Sequence, residues 1–311
     1  LFNAARHGPA PLADAERRAL AALAGRALDD PAMPEAARLG VADWLLPRLG
    51  VRFGAALGAE MAAFDAPAPT DLRANPLKTT RDAARAALAA EGIATEPTPF
   101  SPWGLRAQGR PPVTASRAFR EGLVEIQDEG SQLIAAMVDA RPGMRVCDVC
   151  AGAAGKTLAL AAAMGNRGQI VAADVSAARL EAAVKRLRRA GVSNVERRLI
   201  EPGAKWLKRA AGGFDRVLVD APCTGTGTWR RKPDARLRLA EADLVDLAQK
   251  QSVILERAAR LVKPGGVLVY ATCSVLTEEN EAQVESVLAR VPGFAVLPLP
   301  AVRARIGVPL P

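Results

Sequence analysis

Short apolar runs alternate with stretches of helical periodicity from about residue 130 onward. The apolar runs, each of the length of a buried strand, are 145–149, 169–173, 195–200, 214–219 and 267–271. The helical stretches lie near 155–164, 176–190, 240–262 and 278–290. Such alternation is typical of βαβ units, which form a parallel sheet covered by helices on both faces. We therefore predict a doubly wound, mostly parallel α/β domain.

The residues before this domain have two other patterns. Residues 13–64 contain Ala- and Leu-rich amphipathic periods, which predict three or four helices. The interruptions between them are Asp30-Pro31, Met33-Pro34 and Pro47. A proline-rich break at 66–69 ends this part. Residues 71–127 then combine one clear helix, at about 78–91, with short strand-like pieces, and this mixture predicts a small α+β domain.

These patterns divide the chain into three parts. We predict a helical N-terminal domain over 1–66, a small α+β domain over 70–127 and the parallel-sheet domain over 128–311. The length of 311 residues is sufficient for more than one domain and for a large buried core. Half of the residues are hydrophobic, which is typical of a globular protein and not of a disordered one.

Composition also limits the location and the metal chemistry that we expect. No apolar run approaches the roughly 18 to 20 residues that span a bilayer, and residues 1–26 lack the apolar region of a signal peptide. Four unevenly spaced cysteines suit a reducing compartment, so we expect a cytoplasmic protein with no membrane partner. Cys147 and Cys150 form a C-x-x-C pair, but structural zinc needs four ligands and His7 is distant, so we predict no metal site.

The chain carries an excess of positive charge. Forty-two Lys and Arg against 33 Asp and Glu give a formal net charge of +9, which favours a polyanionic partner such as nucleic acid. Charge alone is equally compatible with a basic surface that has no partner. The run Trp229-Arg230-Arg231-Lys232 would suit base stacking and phosphate contacts, whereas we interpret most cations of the 176–190 helix as a solvated face.

The turn after the first predicted strand has the composition of a ligand-binding loop. Residues 148–157 read Asp-Val-Cys-Ala-Gly-Ala-Ala-Gly-Lys-Thr and open into a helix. Small residues let the backbone approach a ligand closely, and a helix N-terminus favours negative groups. Asp174 ends the second strand at a spacing that suits an acid accepting hydrogen bonds from ribose hydroxyls.

Three cofactor classes use a loop of this layout. A dinucleotide site requires G-x-G-x-x-G, which is absent. Gly155-Lys156-Thr157 matches the end of a phosphate-binding P-loop, and 217–220 resembles a Walker B strand, but Cys150 replaces the first glycine. A methyl-donor nucleoside has no phosphate chain and tolerates that replacement. The loop by itself leaves the methyl donor, the nucleoside triphosphate and a purely structural turn open.

Two cysteines follow neighbouring strands. Segment 220–227 reads Asp-Ala-Pro-Cys-Thr-Gly-Thr-Gly and places Cys223 after the fourth strand. Segment 270–274 reads Tyr-Ala-Thr-Cys-Ser and places Cys273 after the fifth. A single cysteine is more often a small buried hydrophobe than a nucleophile. Two at the carboxyl ends of adjacent parallel strands, where ligands bind in such sheets, favour catalysis, and an ATPase has no use for them.

A thiolate at this position would suit methylation of cytosine. Carbon 5 is a poor nucleophile, but addition of sulfur to carbon 6 makes the ring enamine-like, so that carbon 5 can take a methyl group from a sulfonium. The site must lower the pKa of the attacking thiol, because the thiolate is the reactive form. An acid near ring nitrogen 3 would stabilise the adduct, and a base must remove the carbon 5 proton. The target cytosine must also be unstacked for the thiolate to reach carbon 6, which predicts a looped or single-stranded RNA.

Over roughly residues 70–295 the chain resembles the Fmu/Sun (RsmB) family of RNA cytosine-C5 methyltransferases. Segments 220–227 and 270–274 look like the two cysteine motifs of that family. Further resemblances are Gln-Asp-Glu-Gly-Ser-Gln at 127–132, Lys-Pro-Gly-Gly at 263–266, Glu-Asn-Glu at 279–281 and, more weakly, the small RNA-binding domain at 71–127. The resemblance implies a Rossmann-like methyltransferase sheet, S-adenosylmethionine as cofactor and RNA as partner.

The resemblance also implies a role for each site residue. Cys273 would be the nucleophile, and Cys223 would be needed to release the methylated product. Asp220 would contact the cytosine edge beside the cofactor, and Lys156 would face the methyl-transfer site. The residues predicted to bind the cofactor are Cys150, Ala151, Gly152, Ala153, Ala154, Gly155, Lys156, Asp174, Glu201 and Asp220.

The cofactor loop departs from the family pattern. The family usually has Cys-Ala-Ala-Pro-Gly-Gly-Lys-Thr, whereas Gly152, Ala153 and Ala154 stand here in place of Ala-Pro-Gly, which changes the stiffness of the loop. Our hypothesis is a monomeric cytosine-C5 methyltransferase acting on 16S ribosomal RNA, with transfer RNA as the alternative substrate. A P-loop-like ATPase and an inactive RNA-binding homologue are the other two hypotheses.

Overall fold

The computed structural model describes residues 11–25, 32–201 and 203–310. The first helices are α1 (Asp14–Ala22), α2 (Glu35–Arg38), α3 (Leu46–Phe53) and α4 (Leu57–Asp65), with a short 3₁₀ turn between the last two. Pro47 lies in the first turn of α3, where its fixed φ is compatible with a helix and its missing N–H removes no bond. The predicted break at Asp30-Pro31 lies outside the described residues.

A four-stranded antiparallel sheet follows. Its elements are β1 (Thr70–Ala74), α5 (Arg81–Ala90), β2 (Thr95–Pro97), β3 (Gly104–Ala107), α6 (Arg117–Arg120) and β4 (Val124–Ile126). The strand order β2-β3-β1-β4, with one helix in each crossover, is the ferredoxin-like arrangement. Helix α5 begins at Arg81 and not near 78, because the Thr80 hydroxyl caps it by accepting the Ala83 N–H at 3.2 Å.

The remaining residues form a five-stranded parallel sheet with helices on both faces. The strands are β5 (Arg145–Asp148), β6 (Gln169–Asp174), β7 (Val195–Leu199), β8 (Phe214–Asp220) and β9 (Val262–Ala271). The helices are α7 (Glu129–Met137), α8 (Gly155–Ala163), α9 (Ala177–Ala190), α10 (Lys205–Arg209), α11 (Ala235–Arg238), α12 (Glu241–Ala259), α13 (Glu281–Arg290) and α14 (Leu299–Ile306). The order β7-β6-β5-β8-β9 confirms the predicted doubly wound sheet.

The chain adds β6 and β7 on one side of β5 and then returns to add β8 and β9 on the other side. Strands β6 and β8 both pair with β5, so the loops after these three strands meet at the carboxyl edge of the sheet. Strand β9 begins at Val262, earlier than predicted, because residues between Val262 and Val267 bulge out of its pairing with β8. Alternate residues fill the two faces: Val146 packs in one core layer and Cys147 in the other.

The N-terminal helices share a core with the parallel-sheet domain. Leu45, Leu49 and Met61 pack in one cluster with Trp229 and Leu276. Ion pairs at the rim of this cluster join α3 to the later part of the chain, with Arg48 contacting Glu278 at 2.9 Å and Glu241 at 2.7 Å. The division at residues 66 and 127 stays a prediction.

The ferredoxin-like domain is joined to the parallel-sheet domain at the end of α9. The Asn75 side chain donates to the Ala190 carbonyl at 2.8 Å, and Lys78 Nζ donates to the Arg189 carbonyl at 2.6 Å, where a cation also suits the helix dipole. Glu125 forms ion pairs with Arg189 at 2.6 Å and Arg186 at 3.3 Å. The interpretation of these two arginines as a solvated face was therefore wrong, because they hold the neighbouring domain.

None of the helices in the described ranges combines the length and the apolar character needed to span a bilayer.

Candidate active site

The loop between β5 and α8 is fixed to the end of β6 by a carboxylate. Asp174 is buried and accepts the Gly152 N–H through Oδ2 at 2.8 Å and the Ser176 N–H through Oδ1 at 2.8 Å. Gly152 has φ +53°, which glycine adopts without strain. Ala154 has φ +64°, a conformation that costs an alanine roughly 1–2 kcal/mol. Its buried methyl group packs with Leu158 and Ala183, which compensates for part of that cost.

A cavity of about 700 Å³ opens beside this loop at the carboxyl edge of the sheet. It lies where the strand order reverses, which is the expected position for a ligand in such a sheet. Eight of the ten predicted cofactor residues line the cavity: Cys150, Ala151, Gly152, Ala153, Gly155, Lys156, Asp174 and Asp220. The other two do not. Ala154 lies beneath the loop, and Glu201 is exposed outside the cavity, where Ile200 contributes instead.

Asp148 is a lining residue that the sequence analysis did not single out. It is almost fully buried, and its Oδ2 accepts the Thr157 hydroxyl at 2.7 Å. Within the described residues its Oδ1 has no hydrogen-bond partner. Burial raises the pKa of Asp148 to about 7, while the hydrogen bond from Thr157 opposes the shift. In the sequence, only its position at the end of β5 pointed to Asp148 as a site residue. The burial that raises its pKa depends on helices packed against the sheet, which the sequence does not show.

Lys156 and Asp220 form an ion pair between two loops of the cavity. Lys156 lies in the first turn of α8, and Asp220 is the last residue of β8. The distance from Lys156 Nζ to Asp220 Oδ2 is 2.5 Å, and the lysine side chain is largely buried. The two residues that the family resemblance places at the methyl-transfer site are therefore in direct contact.

The two predicted catalytic cysteines are adjacent. The sulfurs of Cys223 and Cys273 are 3.2 Å apart, and the Cys273 N–H donates to the Cys223 sulfur at 3.3 Å. Cys273 is exposed, Cys223 is partly exposed, and both are free thiols. Pro222, next to Cys223, lines the cavity, whereas neither of the two cysteines does.

The surroundings of three cysteines shift their pKa values in different directions. A hydrogen bond from Cys223 lowers the pKa of Cys273 to about 7, and the nearby Lys156 acts in the same direction against burial and Asp220. The same hydrogen bond and burial raise the pKa of Cys223 well above its ordinary value. Burial raises the pKa of Cys150 to about 12. Of these three cysteines, Cys273 is the one whose pKa is lowered toward neutral pH.

This assignment predicts the pH dependence of alkylation. Since the thiolate fraction rises above the pKa, alkylation of Cys273 by iodoacetamide should reach half its maximal rate near pH 7. Cys223→Ala removes the hydrogen-bond donor, so the midpoint should move to higher pH and the rate at pH 7 should fall by about tenfold per pKa unit. Mass spectrometry of the modified peptides measures both. Equal midpoints in the two proteins would contradict the hydrogen-bond assignment, and Cys150 should stay unmodified throughout.

The basic run after Cys223 does not present an aromatic ring to a ligand. The Trp229 side chain is 1% exposed and packs edge-on against Phe64 at 5.4 Å between ring centroids. The prediction that Trp229 stacks on a base was therefore wrong, because the N-terminal helices cover it. Arg230 donates to the Pro67 carbonyl at 2.8 Å, and Arg231 forms an ion pair with Asp128.

Further polar residues line the cavity on the side of the ferredoxin-like domain. They are Gln127, Asp128, Ser131 and Arg231. The Gln127 side chain also donates to the Gly155 carbonyl at 3.3 Å, so the segment between the domains contacts the cofactor loop. The 127–132 motif was the signal for the first three and the basic run at 229–232 for Arg231, but neither pattern indicates that these residues line one cavity. Among the described residues, no group of three or more His, Cys, Asp and Glu side chains could hold a metal ion.

Comparison with known families places the chain in one class. The family model for the 16S rRNA methyltransferase RsmB/F matches residues 135–307, which is more than half of the chain. A second model, for an RsmF/B-like ferredoxin-like domain, matches residues 41–114 and so begins within the N-terminal helices. The parallel sheet and the cavity at its switch point fit the S-adenosylmethionine-dependent methyltransferases, the class to which this family model belongs. The chain belongs to the RsmB/F methyltransferase family.

Individual relatives agree with this membership. The probable ribosomal RNA small subunit methyltransferase B of Synechocystis is 37% identical over 251 residues, which cover 79% of this chain and 56% of that protein. The ribosomal RNA small subunit methyltransferase B of Salmonella arizonae is 35% identical over 254 residues, covering 81% and 58%. The chain thus spans somewhat over half the length of these relatives. A crystal structure of a methyltransferase homolog protein from Pyrococcus horikoshii has a TM-score of 0.75 and 31% identity, covering 87% of this chain and 86% of that one.

Proposed function

We propose that the protein transfers a methyl group from S-adenosylmethionine to carbon 5 of a cytosine in RNA through a covalent cysteine adduct. The observation that carries the proposal is the Cys223–Cys273 pair, with sulfurs 3.2 Å apart on loops that follow adjacent parallel strands. Asp220 lies three residues before Cys223 and lines the cofactor cavity. Nucleophile, base-binding carboxylate and cofactor cavity therefore occupy one edge of the sheet.

The cavity suits S-adenosylmethionine in size and in polar groups. Its volume of about 700 Å³ lies within the range of small-molecule sites. We propose that Asp174, which already accepts two backbone N–H groups, also accepts hydrogen bonds from the ribose hydroxyls. The Asp148 Oδ1, which is buried and has no hydrogen-bond partner among the residues described by the structure, is available to the same ligand. When bound, the cofactor supplies a methyl group on a sulfonium. A P-loop function gains no support, because Cys150 stands at the position of the first glycine of such a loop.

The cysteine pair accounts for the chemistry at the base. The Cys273 thiolate forms a bond to carbon 6, and the ring electrons move to carbon 5. Carbon 5 takes the methyl group, and the bond between that group and the donor sulfur breaks. The proton on carbon 5 then passes to a base, the bond from Cys273 to carbon 6 breaks, and the ring double bond and the thiolate are restored. Cys223, in contact with the Cys273 sulfur, acts in this release step.

The Lys156–Asp220 pair stabilises the target cytosine while the Cys273 thiolate adds to it. We propose that the Asp220 carboxylate contacts the cytosine edge, which orients carbon 6 toward Cys273. Addition of the thiolate places negative charge on the ring. Lys156 Nζ, 2.5 Å from the Asp220 carboxylate, provides a fixed positive charge close to this position. The lysine is largely buried, so solvent screens that charge less than it would at the surface.

The RNA is the least determined part of the proposal. We propose 16S ribosomal RNA as the substrate, supported by the family membership, with transfer RNA as the alternative. The thiolate must attack carbon 6 from the face of the ring, which neighbouring bases cover in a stack, so the target cytosine must leave its stack to reach Cys273. We expect the modified cytosine to lie in a loop or a single-stranded segment.

Nucleoside analysis tests the proposed function. Purified protein, labelled S-adenosylmethionine and RNA from cells that lack cytosine-C5 methylation are incubated, and the digested nucleosides are identified by mass spectrometry. The expected result is label in 5-methylcytidine from the ribosomal fraction. Label in the transfer RNA fraction alone would support the alternative substrate. A different methylated nucleoside would refute the C5 chemistry, and absence of cofactor binding by calorimetry would support the inactive homologue.

A further inference from the structure

One carboxylate of this region is fully buried and has no role in the proposed chemistry. Glu279, in the turn between β9 and α13, is 0% exposed. Its Oε1 accepts the Thr224 backbone N–H at 2.9 Å, and its Oε2 accepts the Thr224 hydroxyl. A buried carboxylate is costly unless hydrogen bonds replace its lost water. The two hydrogen bonds from Thr224, the residue that follows Cys223, therefore satisfy the Glu279 carboxylate and also fix the position of Thr224.

A buried amide completes this contact on the other side of Cys223. Gln251 of α12 is 0% exposed, and its Nε2 donates to Glu279 Oε1 at 2.9 Å and to the Pro222 carbonyl at 2.8 Å. The residues before and after Cys223 are thus both hydrogen-bonded to the Glu279–Gln251 pair. Because both groups are fully buried, packing restricts their rotamers and the position of the Cys223 loop is fixed.

Asn280, the residue after Glu279, forms hydrogen bonds to the loop that contains Cys273. Asn280 accepts the Thr272 hydroxyl through Oδ1 at 2.7 Å. Its Nδ2 donates to the carbonyls of Ser274 at 3.0 Å and Leu276 at 2.8 Å. The residues on both sides of Cys273 are therefore tied to one amide side chain. Two consecutive residues, Glu279 and Asn280, each fix the loop of one cysteine.

We propose that Glu279 is the positioning residue of Cys223 and that Asn280 is the positioning residue of Cys273. The inference rests on the proposed function, in which the two cysteines act in different steps. Loss of Glu279 should impair product release and leave formation of the covalent adduct largely intact. Loss of Asn280 should impair formation of the adduct itself. A displacement of about 1 Å at a reacting group is enough to lower a rate by about 100-fold.

The test compares the amounts of adduct and product formed by the 311-residue chain. Wild type, Glu279→Ala and Asn280→Ala are incubated with S-adenosylmethionine and the methylatable RNA, and both turnover and protein–RNA adducts that survive denaturation are measured. Glu279→Ala should lose about 100-fold in turnover and accumulate adduct, whereas Asn280→Ala should lose turnover to a similar extent without adduct. Glu285→Ala, which changes an exposed glutamate of α13, is the matched control and should behave as wild type.

Two further variants separate positioning from folding. Glu279→Gln keeps an oxygen acceptor for the Thr224 N–H, so turnover should recover to within about tenfold of wild type. Thr224→Val keeps the side-chain volume but removes the hydroxyl donor, so adduct should again accumulate. If Glu279→Ala shows no cooperative unfolding transition and is therefore misfolded, Thr224→Val and Glu279→Gln together provide the test. Equal loss of adduct and product in Glu279→Ala and Thr224→Val, with intact folding, would overturn the proposal. Wild type that forms no 5-methylcytidine would instead refute the proposed function.

Discussion

Cys273→Ala is expected to lower the rate of methyl transfer to cytosine by at least about 10⁴-fold, the scale of losses when a covalent nucleophile is removed. Without sulfur at carbon 6, carbon 5 stays too weak a nucleophile to take the methyl group. Binding of S-adenosylmethionine should be unchanged, because Cys273 lies outside the cofactor cavity. Single-turnover transfer from labelled cofactor measures the first effect, and calorimetric titration measures the second.

The matched control for this variant is Cys147→Ala. Cys147 is fully buried in the sheet and does not line the cavity, so its removal should lower thermal stability but leave methyl transfer by the folded protein near the wild-type rate. Formation of a denaturation-resistant adduct by Cys273→Ala would contradict the assignment and transfer the role of nucleophile to Cys223. Such a result would also conflict with the lowered pKa of Cys273.

The parallel sheet was predictable from local patterns. Apolar runs of strand length and the helices between them give the order of elements, and the connection rules for parallel sheets then limit the topology. The carboxyl ends of β5, β6, β8 and β9 hold Asp148, Asp174, Asp220 and Cys273 at or just after the last strand residue. Residues that share one edge of a sheet can therefore be grouped before any coordinates exist.

Contacts between distant segments were not predictable in the same way. Whether Trp229 faces RNA or the interior depends on helices that precede it by more than 150 residues, since Phe64 covers its ring. Arg186 and Arg189 lie in a basic run that is typical of a solvated helix face, but their partner Glu125 lies in the ferredoxin-like domain. No local period indicates either contact, because hydrophobic periodicity shows which face is buried and not what covers it.

The cofactor loop illustrates the same limit at a smaller scale. Family resemblance identified Gly152, Ala153 and Ala154 as substitutions, but their consequence depends on backbone conformation. Gly152 takes the left-handed conformation at no cost, while Ala154 takes it with its methyl group buried against α8 and α9. The strained residue is the one removed from the cavity wall. Sequence comparison alone could not distinguish a change in the lining from a change beneath it.

Cys223→Ala should separate formation of the adduct from its resolution. The Cys273 sulfur remains able to add to carbon 6, so methyl transfer in a single turnover should continue, more slowly at neutral pH because the hydrogen bond that stabilises the thiolate is gone. Release should fail, and turnover should fall by about 10³-fold, a loss typical for removal of a group that assists proton transfer. Adducts between protein and methylated RNA should then accumulate on denaturing gels.

Raising the pH distinguishes the two effects of this substitution. If Cys223 acted only by stabilising the Cys273 thiolate, turnover in Cys223→Ala would recover above the new pKa and no adduct would persist. If Cys223 also acts in release, as we propose, adduct should form faster at high pH and still not resolve. Cys223→Ser tests the same point, because a hydroxyl can donate to the Cys273 sulfur but is far less readily ionised. We expect Cys223→Ser to retain a lower Cys273 pKa than Cys223→Ala and to accumulate adduct nonetheless.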